Sequence, residues 1–154
     1  MARRPRLRDE KRETGLVHMQ KYPEPVAGAF IVNEKGELLL LKSHKWSDMY
    51  VVPGGHIEVG ETMQQALRRE VLEETGLIVS GEKFLCFWEF INEGEFHTQK
   101  HMIFFNFLVT IKPGKVSLND EAQEFVWITP KESLKLPLNK YTKLTIEQYL
   151  LKKS

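Results

Sequence analysis

The chain has a single cysteine, almost no net charge and no long apolar run. The lone Cys86 excludes an intrachain disulfide framework, and its setting in Phe84-Leu85-Cys86-Phe87-Trp88 predicts a core thiol rather than a nucleophile. No run of about eighteen apolar residues suggests a membrane helix, and the N-terminal residues lack the apolar core of a signal peptide. A cytoplasmic location with no membrane partner is therefore expected. The net charge is +1, and nucleic acid is not an expected partner. Internal repeats and low-complexity tracts are missing too, and no proline occurs between Pro53 and Pro113.

What is present fits one globular domain: 154 residues, 42% hydrophobic and 28% charged. The charge is uneven. Arg3, Arg4, Arg6, Arg8, Lys11 and Arg12 stand against Asp9, Glu10 and Glu13, so residues 1–18 form a basic leader short of large apolar side chains and are expected to be disordered. Met19 is a second candidate start. The leader is thus either an extension ahead of it or a functional arm, and residues 19–154 form the domain proper.

Apolar and β-branched stretches predict strands at Val26 to Val32 and Glu37 to Lys42, joined as a hairpin through Asn33-Glu34-Lys35-Gly36. Further strands are expected at Tyr50 to Val52, Ile78 to Ile91, His101 to Ile111 and Glu124 to Ile128, with a polar loop at Asn92 to Lys100. Glu61 to Thr75 is rich in helix formers and ends at Gly76, and Asn139 to Lys152 carries apolar residues at helical spacing. Pro53-Gly54-Gly55 is expected to lack regular structure and to let backbone approach a ligand.

The most specific feature is GHIEVGETMQQALRREVLEETGL, Gly55 to Leu77. On a helix Glu70, Glu73 and Glu74 fall within an arc of about 100°, so three carboxylates share one face. Like charges so placed repel, and a hard divalent cation offsets that cost; oxygen ligands of this kind select Mg²⁺, Mn²⁺ or Ca²⁺. Arg69 can bridge to Glu73 and reach back towards Glu61, orienting a carboxylate. Glu58 and Glu61 lie where negative charge favours a helix start, so capping competes with metal binding for both. A solvated acidic face is the bland explanation of such a run.

The segment matches G-x5-E-x7-R-E-U-x-E-E-x-G-U at every position, a coincidence of about 10⁻⁷ by composition alone. It resembles the Nudix hydrolases, the MutT-related family. The resemblance implies an α/β fold, a Nudix-type α/β/α sandwich with a mixed β-sheet and a loop-helix-loop motif. It also implies a Mg²⁺-dependent enzyme, with Mn²⁺ a possible substitute, that cleaves a phosphoanhydride in nucleoside diphosphate-linked substrates, and family members are often homodimers. Glu70 and Glu74 are then the principal metal ligands, with Glu73 a further ligand or water-activating group. The Gly55 carbonyl is another ligand, and Arg69 has an orienting role. In this family the base often comes from a later loop; Glu121, beside Asp120 and Glu124, is the first choice, against a solvated acidic turn.

Substrate choice lies outside the motif. Lys42 closes a strand where related proteins carry a phosphate-binding base, or it is a solubilising charge. Leu136-Pro137-Leu138-Asn139 resembles the stretch with which MutT-type triphosphatases read a base, although Asn139 is equally placed to cap a helix. Trp46, Trp88 and Phe90 are candidates for base stacking. The proline that marks ADP-ribose hydrolases and the tyrosine that marks dinucleoside-polyphosphate hydrolases are not found after the motif. The expected activity is thus conversion of a nucleoside triphosphate to monophosphate and pyrophosphate, with an ADP-ribose or nucleotide-sugar diphosphatase as the alternative. A non-catalytic nucleotide- or RNA-end-binding module is the alternative of another class, but such modules usually lose motif glutamates that are intact here.

Overall fold

The computed structural model describes residues 20–92 and 100–153; the basic leader 1–18 and most of the polar loop expected between Asn92 and Lys100 lie outside that range. The strands are β1 (Glu24–Ile31), β2 (Leu38–Ser43), β3 (Met49–Val51), β4 (Gly54–His56), β5 (Val79–Ile91), β6 (His101–Ile111) and β7 (Glu124–Ile128). The helices are α1 (Met63–Thr75), the short α2 (Pro130–Ser133) and α3 (Lys140–Lys153). A mixed four-stranded sheet runs β4-β1-β6-β5, with β1 and β6 parallel, and an antiparallel three-stranded sheet runs β3-β2-β7.

β1 and β2 explain the layering. Both are apolar on both faces, as strands covered on both sides must be. Ala27, Ala29 and Ile31 with Leu39 and Leu41 pack against Ala66, Leu67 and Val71 of α1. Phe30, Leu38 and Leu40 point the other way, onto Ile146 and Tyr149 of α3. Each helix covers one side of the strands, the α/β/α sandwich expected from the sequence.

Two local expectations are corrected. β1 and β2 do not pair as a hairpin ladder. They meet at the bridge Val32–Leu38, where Asn33 Oδ1 accepts from the Lys35 and Glu37 N–H groups, and then part into different sheets. Their ladder hydrogen bonds go to separate neighbours instead, β4 and β6 for β1 and β3 and β7 for β2. Nor is the glycine segment irregular: Gly54–His56 is the edge strand β4, antiparallel to β1, with Gly54 opposite Gly28. A Cβ on Gly54 would lie 2.2 Å from the Ala27 carbonyl oxygen, so the missing side chain is what permits this pairing.

α1 is delimited by its own sequence. Thr62 is the N-cap: its hydroxyl accepts from Gln65 N at 3.1 Å, while Gln65 Oε1 accepts from Thr62 N at 2.9 Å, a reciprocal capping box. That cap leaves Glu58 and Glu61 without the capping role considered for them. Gly76, at φ 73°, ends the helix with its N–H on the Leu72 carbonyl.

Candidate active site

The residues of α1 that face the sheet include two acids. Glu70 and Glu74 are 5% and 6% exposed, on the same side as the apolar contacts of the helix. Facing them is the glycine strand. A Cβ on Gly55 would fall 2.3 to 2.6 Å from the carboxylate atoms of Glu70, and Gly54 N–H donates to Glu74 Oε2 at 3.4 Å.

A third acid arrives from the loop before β7. The last carbonyls of a helix lack partners within it. Here Ser117 N–H donates to the Thr75 carbonyl at 2.8 Å and Asn119 N–H to the Glu74 carbonyl at 3.3 Å. Asn119 Oδ1 then accepts from Glu121 N–H, turning the chain back. The result is a triplet: carboxylate oxygens of Glu70, Glu74 and Glu121 lie within 4.8 Å of one another.

Burial and mutual repulsion both disfavour ionising this group. Burial first, then the charges of Glu70 and Glu121, pushes the Glu74 carboxyl up to about 9. Burial also raises Glu70, against the lowering effect of Arg69. Three converging oxygen donors with this penalty fit a hard divalent ion, which replaces the repulsion by attraction.

Arg69 organises the other carboxylates. It takes Glu61 in a bidentate pair at 2.7 and 2.9 Å, donates to Glu70 Oε1 at 2.8 Å and to Glu73 Oε2 at 3.4 Å, and binds the His56 carbonyl at 3.0 Å. Pairing with Glu61 raises its own pKa, so it stays charged. Glu73 is exposed, rests on Arg69 and stands outside the Glu70-Glu74-Glu121 triplet. Lys42 lies in the other sheet, 3.5 Å from Glu124, whose Oε1 also accepts from the Tyr50 hydroxyl.

A cleft of about 630 Å³, its open mouth included, begins at Gly54, Gly55 and His56, the strand that meets Glu70 and Glu74, and runs across the sheet. Trp46, Phe104 and Tyr141 wall it, with ring centroids of Trp46 and Phe104 6.1 Å apart and those of Phe104 and Tyr141 5.4 Å apart. Asn139 lines the cleft but is occupied as a cap, its Oδ1 accepting from Tyr141 N–H at 2.9 Å. Of the other aromatic residues singled out in the sequence, Phe90 is buried in a core cluster and Trp88 donates its indole N–H to Thr145 Oγ1. Cys86 is half-buried, with burial pushing its thiol up, as suits a structural thiol. Gly28, Phe104, Asn106 and Tyr141 were not singled out in the sequence; the signal was a glycine and an asparagine interrupting strands otherwise apolar.

The NUDIX domain model matches residues 22–149 of this chain. The chain belongs to the Nudix family. Among its relatives, the nucleoside triphosphatase NudI of Enterobacter sp. (strain 638) is 35% identical over 130 residues, 77% of this chain and 91% of that protein. An ADP-ribose pyrophosphatase of Methanocaldococcus jannaschii is 28% identical over 117 residues, 75% of this chain and 67% of that protein. A crystal structure of a MutT Nudix hydrolase from Burkholderia pseudomallei superposes with a TM-score of 0.73 at 25% identity, covering 83% of this chain and 98% of that one. The family expected from residues 55–77 and the fold expected from it both hold. This Nudix protein is a pyrophosphohydrolase acting on nucleoside diphosphate derivatives. No helix among the described residues is long and apolar enough to cross a membrane.

Proposed function

We propose that this Nudix hydrolase converts a nucleoside triphosphate to the monophosphate and pyrophosphate, using a divalent cation, Mg²⁺ or in its place Mn²⁺. The observation that carries this is the continuity of an aromatic-walled cleft with the Glu70-Glu74-Glu121 triplet through Gly54 and Gly55. A nucleoside resting against the wall formed by Trp46, Phe104 and Tyr141 directs its phosphates towards the acidic end. The relative named a nucleoside triphosphatase, covered over 91% of its length, supports the same substrate class.

The cation would be held by Glu70, Glu74 and Glu121, with the Gly55 carbonyl as a further oxygen donor. Bound there, it would supply charge neutralisation on the phosphate oxygens and acidification of the attacking water. Arg69 keeps the carboxylates of Glu61, Glu70 and Glu73 in fixed orientations. Glu73, exposed beside that cluster, accepts the proton of the water, and Glu121 is the alternative acceptor. The aromatic walls hold the nucleoside and limit water on its side of the cleft.

Chromatography of products after incubation with Mg²⁺ and a panel of nucleoside triphosphates, ADP-ribose and nucleotide sugars tests this. Monophosphate plus pyrophosphate from one or a few triphosphates is expected. Products from the diphosphate conjugates alone would replace the triphosphatase assignment with a diphosphatase, the activity named for the Methanocaldococcus relative.

A further inference from the structure

We infer that Asn106 is the residue that reads the nucleobase in this cleft, through the donor and acceptor of its side-chain amide. The inference rests on the proposal that a nucleoside occupies the cleft, but not on which group the diphosphate carries at its other end.

Three observations support it. Asn106 is 4% exposed, lies in the middle of β6 and lines the cleft. An amide has two donor hydrogens and an acceptor oxygen, and leaving them unmade in a buried position is costly. Its side chain lies beside the Cys86 thiol, a weak hydrogen-bonding partner, and borders the cleft, where a ligand can meet the amide. The other cleft amide, Asn139, holds its oxygen on the Tyr141 N–H as a helix cap, so turning it to a base would cost that cap.

Second, the strand beside Asn106 makes room for it. Gly28 is its register partner on β1, and a Cβ there would come within 2.3 Å of Asn106 Oδ1. The amide therefore lies over a bare backbone, a position that any other residue at 28 would contest.

Third, the spacing is that of a nucleotide. Gly54, Gly28, Asn106 and Cys86 form one row across four adjacent strands. Two strand spacings separate Gly54, which binds Glu74, from Asn106, a distance of about 10 Å. That span matches the reach from a base edge, through the sugar, to the phosphates. Phe104, two residues before Asn106 on the same face of β6, gives the base a ring to stack on.

The test is binding of a panel of nucleoside monophosphates, with ribose 5-phosphate as the base-free control, followed by calorimetry for the wild type, Asn106→Leu, Asn106→Asp and Gly28→Ala. The wild type is expected to rank the bases. Asn106→Leu should compress the ratio of best to worst by at least tenfold and leave ribose 5-phosphate unchanged. Asn106→Asp should reorder the ranking in favour of bases that present donors, and Gly28→Ala should weaken the ranking with Asn106 still in place. Should a variant fail to fold, the side-chain amide resonances of Asn106 in the wild-type protein must shift on addition of the preferred monophosphate but not of ribose 5-phosphate. A wild-type ranking preserved in folded Asn106→Leu, or amide resonances that do not move, would overturn the inference. Turnover of nucleotide sugars in place of triphosphates would remove the triphosphatase proposal and leave Asn106 standing, because those substrates carry a base too.

Discussion

The backbone N–H of Asn119 donates to the carbonyl of Glu74 at 3.3 Å, tying the loop that brings Glu121 to the helix that carries the other two acids. With the bond from Ser117 N–H to the Thr75 carbonyl, it joins sequence positions almost fifty apart into one oxygen-rich corner. Replacing Glu121 by Gln should leave the fold intact, since the loop is held by backbone groups. It should raise the Mg²⁺ concentration for half-maximal activity by about tenfold or more, the usual scale for loss of support at a metal site. An unchanged Mg²⁺ titration would leave Glu121 as a solvated acid.

Gly55→Ala probes the same corner from the strand side. The new methyl group would lie 2.3 to 2.6 Å from the Glu70 carboxylate and force it aside. Activity should fall about a hundredfold while far-ultraviolet circular dichroism remains that of the wild type. Retention of most activity would mean that Glu70 need not occupy this position during turnover.

The buried acids also set a pH dependence for the metal-free protein. The Glu74 carboxyl is held up to about 9 against an ordinary 4.5, so the folded state keeps a proton that the unfolded chain releases. Its contribution to stability is complete below about 4.5 and is lost as pH rises towards about 9. Thermal unfolding with EDTA should therefore show Tm falling across that interval. Glu74→Gln should flatten the decline, and Mg²⁺ should restore stability most at the alkaline end. A Tm that rises over the same interval would refute the coupling.

Thr62→Ala removes one half of the capping box and should cost about 1 kcal/mol in denaturant unfolding. Loss of less than a few tenths would show that tertiary contacts, not the cap, fix the start of α1.

The sequence carried the helix and its acids clearly, because spacing on a helix is a local property: Glu70 and Glu74 share a face wherever the helix packs. It carried less about which acids converge. Glu73 stands three residues from Glu70, yet the sheet lies on the side of Ala66, Leu67 and Val71, so Glu74 turns inward and Glu73 outward. Glu121 was legible only through family resemblance, since its position follows from a loop satisfying helix-end carbonyls. The β1–β2 hairpin failed for a related reason: each strand has two edges to pair, and local turn chemistry cannot say which strands take them. The cleft was hardest to see, because Gly28, Phe104 and Asn106 meet only through the parallel register of β1 and β6.

Cation-dependent release of pyrophosphate is tested most directly by ³¹P nuclear magnetic resonance of the preferred nucleoside triphosphate incubated with the protein and Mg²⁺, then with EDTA in excess. Monophosphate and pyrophosphate signals should grow together, and growth should stop on chelation. Orthophosphate with a diphosphate as the first products, or turnover that continues under EDTA, would contradict it.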